Sequence, residues 1–212
     1  MTQESFKPLR SGILRVLIYS FIAGAVVLAF SMEARYHHGP DLYSEASVTE
    51  AFQLILLGLA TCFLVLSGRK NPDSSAMTTL MAGMTSIAFV RECDAFLDAD
   101  LFDGAWQTGA AIIFALTLIL VARKKDQLLP SITAFMKRPS FGYFVCGFIT
   151  VFVYSRLFGR GALWTDIMSP EPMIRAVKNA AEEGSELFGY GLLFIASIEL
   201  YLESLFLSRS GD

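Results

Sequence analysis

The chain has 212 residues, of which 54% are hydrophobic and 17% charged, with a formal charge of −3. Soluble domains carry about 25% charged residues, so the balance is that of a membrane protein. No polar stretch is long enough to fold separately, and residues 1–212 read as a single integral membrane domain. With no basic stripe, zinc-finger spacing or aromatic–basic interleaving, nucleic acid is excluded as a partner. The expected partners are the lipid bilayer and a second membrane protein.

A membrane crossing needs about 20 mostly apolar residues, and six windows meet or approach this. The first, Ile13 to Met32, follows Lys7 and Arg10. Its apolar run exceeds the h-region of a signal peptide and no A-x-A site follows it, so it reads as a retained span. The second runs from Val48 to Ser67. The third, Ser75 to Cys93, is the weakest, because its uninterrupted apolar part is only Met77 to Val90. Ala105 to Ala122 is the fourth. The stretch Asp126 to Lys137 then alternates apolar and polar groups, as a short helix lying along the interface does. Phe141 to Leu157 is the fifth span and Leu187 to Leu207 the sixth. A helix entered at Pro172 continues into this last span, so its first turns stand outside the bilayer. Cys62, Cys93 and Cys146 show no C-x-x-C pairing and read as small core residues.

Charge orders these spans. With the N-terminus inside, eleven of the 17 lysines and arginines fall on the cytoplasmic side, packed into short loops as the positive-inside rule requires. Both termini are then cytoplasmic, and the fold class is an all-α bundle of six transmembrane helices. Tyr36, Trp106, Tyr154, Trp164 and Tyr190 fall near the outer span ends, where an aromatic belt sits. Compact loops and the absence of glycosylation sequons point to a bacterial inner membrane.

The same topology puts fourteen of the 20 carboxylates on the external side. Some of them belong to spans. Glu50 lies just inside the second span, with Gln53 next on its face. Glu186 shares a face with Tyr190, Leu193, Ser197 and Ser204, and Glu182 lies one turn above it. Arg91 reaches Asp94 at i+3, and Asp98 follows one turn later. Glu92 belongs to the same span end. A carboxylate in hydrocarbon costs about 2.5–3.5 kcal/mol on insertion scales, so these acids face the bundle interior, where Arg91 and Arg156 are the natural partners. Such a cluster fixes the bundle as a salt-bridge network, binds a hard divalent cation through oxygen ligands, or relays protons. Glu199 stands apart, deep in the last span, either hydrogen-bonded to a neighbouring helix or serving as a step on an ion path.

His37 and His38 adjoin one another in the first external loop and, with Asp41, form a permissible metal set. Bis-histidine haem is excluded, since no span contains a histidine. Retinal is excluded for want of a lysine within a span. Intramembrane zinc hydrolases of the alkaline ceramidase and adiponectin-receptor kind use three helical histidines, which this chain lacks. No P-loop, G-x-S-x-G, H-E-x-x-H or dinucleotide fingerprint occurs. No cofactor is assigned beyond a divalent cation. Three readings stand. The first is a non-enzymatic multi-pass membrane protein whose acidic external cluster is structural or binds a cation. The second is a small cation- or proton-coupled transporter, and the third is a metal-dependent intramembrane hydrolase.

Overall fold

Every element among the described residues is helical. The computed structural model describes residues 3–36, 43, 47–167 and 171–210, with side chains outside 3–11, 171–173 and 206–210. Helix α1 spans Gln3–Tyr36 and α2 Val48–Lys70. A 3-10 turn, Pro72–Ser74, leads into α3, Ser75–Arg91, and a short α4, Asp94–Asp100. Helix α5 is Ala105–Ala122, and α6, Lys125–Met136, is the short helix expected over Asp126 to Lys137. Helix α7, Pro139–Ile149, passes through a π-helical turn at Thr150–Tyr154 into α8, Ser155–Phe158. Helix α9, Gly161–Thr165, precedes α10, Glu171–Ser210.

Five of these helical stretches are long and apolar enough to cross a membrane. The third expected span is the exception, because α3 has only 17 residues. Even so, α3 retraces α2 in antiparallel register. Thr61 meets Thr85 at 2.7 Å, a Cβ on Gly58 would meet Phe89, and Gly68 faces Thr78. Helix α5 retraces α3 in turn, with Gly83 against Thr117 and Gly109 against Val90. The bundle thus places α5, α3, α2, α10 and α7 side by side, with α1 against both α2 and α10.

Helix α10 is the hub. Of its most apolar stretch 61% is buried, against 17% for α1 and for α5. Helices in lipid gain no hydrophobic driving force from touching one another, so close backbone approach through small residues holds them. Gly147 supplies that on α7, where a Cβ would lie 2.8 Å from the Gly189 carbonyl oxygen and 3.0 Å from Leu193. The α2 start is fixed from two directions. The Ser47 hydroxyl accepts from the Glu50 N–H at 3.0 Å, and the Glu33 carboxylate accepts from the Val48 N–H at 2.6 Å. Both oxygens meet orphan donors at the positive end of a helix. Gly104 at the start of α5 has φ +87°, a left-handed backbone that glycine adopts without steric cost.

The structure corrects two expectations. Cys62 and Cys146 are exposed on outer helix surfaces rather than core residues, since a thiol facing lipid forfeits little. Tyr190 does not belong to an aromatic belt and is fully buried in the bundle. The last helix starts at Glu171, as the helical run entered at Pro172 predicts, and continues through the expected span from Leu187.

Candidate functional site

The helix directions bring one end of α1, α2, α3, α5 and α10 together with α4, α8 and α9. At this end a vestibule of about 580 Å³ opens. Its walls come from Ser47 and Glu50 at the α2 start, and from Arg91, Glu92 and Asp94 around the α3–α4 corner. The upper turns of α10 close it with Arg175, Lys178, Asn179, Glu182 and Glu183. Tyr43 sits at the rim, stacked on Phe30 with ring centroids 4.1 Å apart. Its hydroxyl donates to the Phe30 carbonyl at 3.2 Å. Burial, with the Glu33 carboxylate nearby, pushes that hydroxyl above the usual tyrosine range.

The floor is a network of charges. Glu186, 1% exposed, receives Arg91 Nη2 at 2.8 Å and Arg156 Nη2 at 2.5 Å. Ser155 Oγ donates to the same carboxylate at 3.1 Å. The wide π-turn immediately before Ser155 and Arg156 is the local backbone feature that precedes both of these donors; such turns recur at functional sites. Arg156 also holds Glu182 at 2.7 Å, and Lys178 reaches Glu182 at 3.4 Å. Glu92 accepts from the Tyr190 hydroxyl at 2.7 Å and lies 3.3 Å from Arg91. Register between α2 and α10, given by Gln53 with Glu183 and Ser67 with Leu200, sets Glu186 about 12 Å below the first residue of α2. The charges are therefore well inside the helical bundle.

Glu92, Glu183 and Glu186 each offer a carboxylate oxygen, and these oxygens lie within 4.8 Å of one another. Two like charges at that distance repel by about 3.5 kcal/mol at an effective dielectric constant of 20. Arg91 and Arg156 offset this for Glu186, and Arg91 for Glu92. Glu183 has no cationic partner among the described residues, only the neutral Gln53 amide, whose Nε2 donates at 2.9 Å. Gln53 is fully buried, and its Oε1 has no hydrogen-bond partner. Three clustered carboxylates are the kind of oxygen donor that a hard divalent cation takes.

The chain matches no protein-family model, no curated protein and no solved structure. The chemistry of the site is read from its own residues.

The structure brings together most of the residues singled out in the sequence. Glu50, Arg91, Glu92, Asp94 and Glu182 line the vestibule, and Gln53, Arg156 and Glu186 belong to the network beneath it. Arg91 does not turn to Asp94 at i+3, because α3 ends at Arg91 and Asp94 opens a separate helix, its Oδ1 accepting from the Ala95 N–H at 2.7 Å. Asp98 lies apart, its Oδ1 3.4 Å from the Trp106 N–H. Glu199 is about 20 Å along α10 from Glu186. It is 2% exposed, held by Arg15 Nε at 2.8 Å and by the Tyr19 hydroxyl. This ties the start of α1 to α10 at the opposite end, where Glu203 also meets Arg138 at 3.2 Å. His37, His38 and Asp41 lie outside the described residues. Glu183 was missed as a site residue, although its spacing of three from Glu186 and seven from Tyr190 is that of one helix face.

Proposed function

We propose that this is a non-enzymatic membrane protein of six crossings, both termini cytoplasmic, whose external vestibule binds a divalent cation. The observation that carries the reading is Glu183. It is a carboxylate within 4.8 Å of two others, without a cationic partner among the described residues, and hydrogen-bonded only by the neutral Gln53 amide. A bound Ca²⁺ or Mg²⁺ supplies the missing positive charge. Its ligands are Glu92 at the α3 end and Glu183 and Glu186 on α10, with Gln53 on α2 joining them once its amide turns its oxygen inward, so occupancy ties three helices together. Hard cations of this kind take carboxylate and amide oxygens.

Six crossings follow if α3 counts as a span. Its antiparallel register along α2 and its place between α2 and α5 support that reading. Arg69, Lys70, Arg123, Lys124, Lys125, Lys137 and Arg138 then share one face of the membrane, which the positive-inside rule makes cytoplasmic. A bacterial inner membrane suits this arrangement. Binding is favoured over passage because Tyr190, Leu193 and Ala196, all buried, fill α10 between the vestibule and Glu199.

Thermal unfolding of the detergent-purified protein with added Ca²⁺ or Mg²⁺ tests the proposal. A cation at 100 times its dissociation constant stabilises by about 2.7 kcal/mol, or roughly 5–10 °C for a chain of this size. The shift is expected in the native chain and absent in Glu183→Gln. An equal shift in both, or one reproduced by Na⁺ at matched ionic strength, refutes the site. A proton held on Glu183 in place of metal gives no shift in either protein.

A further inference from the structure

The opposite end of the bundle carries a second cavity, of about 370 Å³, walled by α2 and α5 with α3 as its floor. Both walls pack on α3, and small side chains on that floor, among them Ala82, Gly83 and Ser86, keep the groove open. Its hydroxyl groups ask nothing of an occupant. Thr78, Thr79, Ser86 and Thr117 each donate to a carbonyl of their own helix, and Thr61 pairs with Thr85. What remains is an apolar trough, rimmed by Val65, Leu116 and Leu120, which are exposed on the outer surface of the bundle. Along α5, from Ile113 to Lys124, it runs about 16 Å.

One end of the trough is cationic. Arg69 and Lys124 line it, and no carboxylate among the described residues pairs with either. Lys124 Nζ donates to Ser75 Oγ at 2.6 Å and to Thr79 Oγ1 at 3.2 Å. Those neutral partners aim the ammonium at the groove mouth without cancelling its charge, and use two of its three donors. Lys70, Arg123 and Lys125 adjoin in sequence and are exposed. An apolar trough on the lipid-facing surface ending between two uncompensated cations matches one ligand shape: a long hydrocarbon chain joined to an anionic head. Basic pockets between transmembrane helices bind such headgroups.

We propose that this groove binds one anionic glycerophospholipid, its phosphate held between Arg69 and Lys124 and one acyl chain laid along α3 between α2 and α5. The site is independent of the vestibule and of any cation there. It gives α5, which packs mainly on α3 and α4, a second attachment to the bundle through the lipid.

Native mass spectrometry of the full chain, titrated with phosphatidylglycerol or phosphatidylcholine of equal chain length, reads the site directly. Each cation contributes about fivefold to binding an anionic lipid, so phosphatidylglycerol is expected to bind about thirtyfold more tightly than phosphatidylcholine. The double variant Arg69→Gln, Lys124→Gln abolishes that preference. Arg69→Gln alone, on an exposed side chain, lowers it about fivefold and keeps the test valid if the double variant fails to fold. Val65→Trp, which fills the trough from an exposed position, weakens phosphatidylglycerol binding. Equal retention of the two lipids overturns the proposal. So does undiminished binding in Val65→Trp, or competition by inorganic phosphate that matches the lipid, which marks a free-anion site instead.

Discussion

Replacing Glu186 by Gln removes the charge on which the two arginines of the vestibule floor converge, while keeping the side-chain volume. The cost can be worked contact by contact. Breaking a buried pair by removing one partner costs about 3–5 kcal/mol. Arg91 is 28% exposed, so its share lies near the lower end, about 3 kcal/mol. Arg156 is 43% exposed, and solvent screening limits that pair to about 1 kcal/mol or less. The Ser155 hydroxyl still finds an acceptor in the new amide. The loss is therefore about 3–4 kcal/mol, which lowers the unfolding midpoint of a chain this long by roughly 10 °C. Differential scanning fluorimetry in one detergent at one scan rate measures it. The cycle of Glu186→Gln, Arg91→Gln and the double variant isolates the pair, with a coupling of about 1–3 kcal/mol. A single-variant midpoint within about 2 °C of the native one, or additive effects in the cycle, would refute the claim that Glu186 anchors the arginines.

Other substitutions probe separate contacts. Tyr190→Phe leaves the Glu92 carboxylate without its hydroxyl donor and destabilises the protein by about 1.5–3 kcal/mol, read from the same melting curves. Gly147→Leu forces α7 away from α10, where a Cβ already meets backbone at 2.8 Å. It lowers the midpoint by the equivalent of about 1–3 kcal/mol or more, and Gly147→Ala does so less. Glu199→Ala releases Arg15 and Tyr19 together, so hydrogen exchange at the start of α1 speeds up while that at the vestibule does not change.

The long helices were legible because hydrophobic runs of span length are a one-dimensional signal. The short helix at Lys125–Met136 and the helical run from Glu171 were equally plain in periodicity and punctuation. The site was legible only in part. Arg91, Glu92, Glu182, Glu186, Arg156 and Gln53 were identifiable because charged and amide groups at span ends must turn inward. Which partners they choose depends on how helices lie side by side, and no local pattern encodes that. Arg91 therefore selects Glu186, 95 residues away, rather than its sequence neighbour Asp94. Arg15 finds Glu199 across the whole length of the chain. Tyr190 carries the same residue type as a belt tyrosine, and only the depth set by the α2–α10 register distinguishes the two.

The most direct test of the central claim is elemental analysis of the purified protein after equilibration with Ca²⁺ and Mg²⁺ and removal of the free ions. Close to one divalent ion per chain is expected in the native protein, and none in Glu183→Gln that still melts cooperatively. A native protein free of divalent metal, or a variant that keeps its full complement, would contradict the claim and leave the carboxylates as part of the scaffold alone.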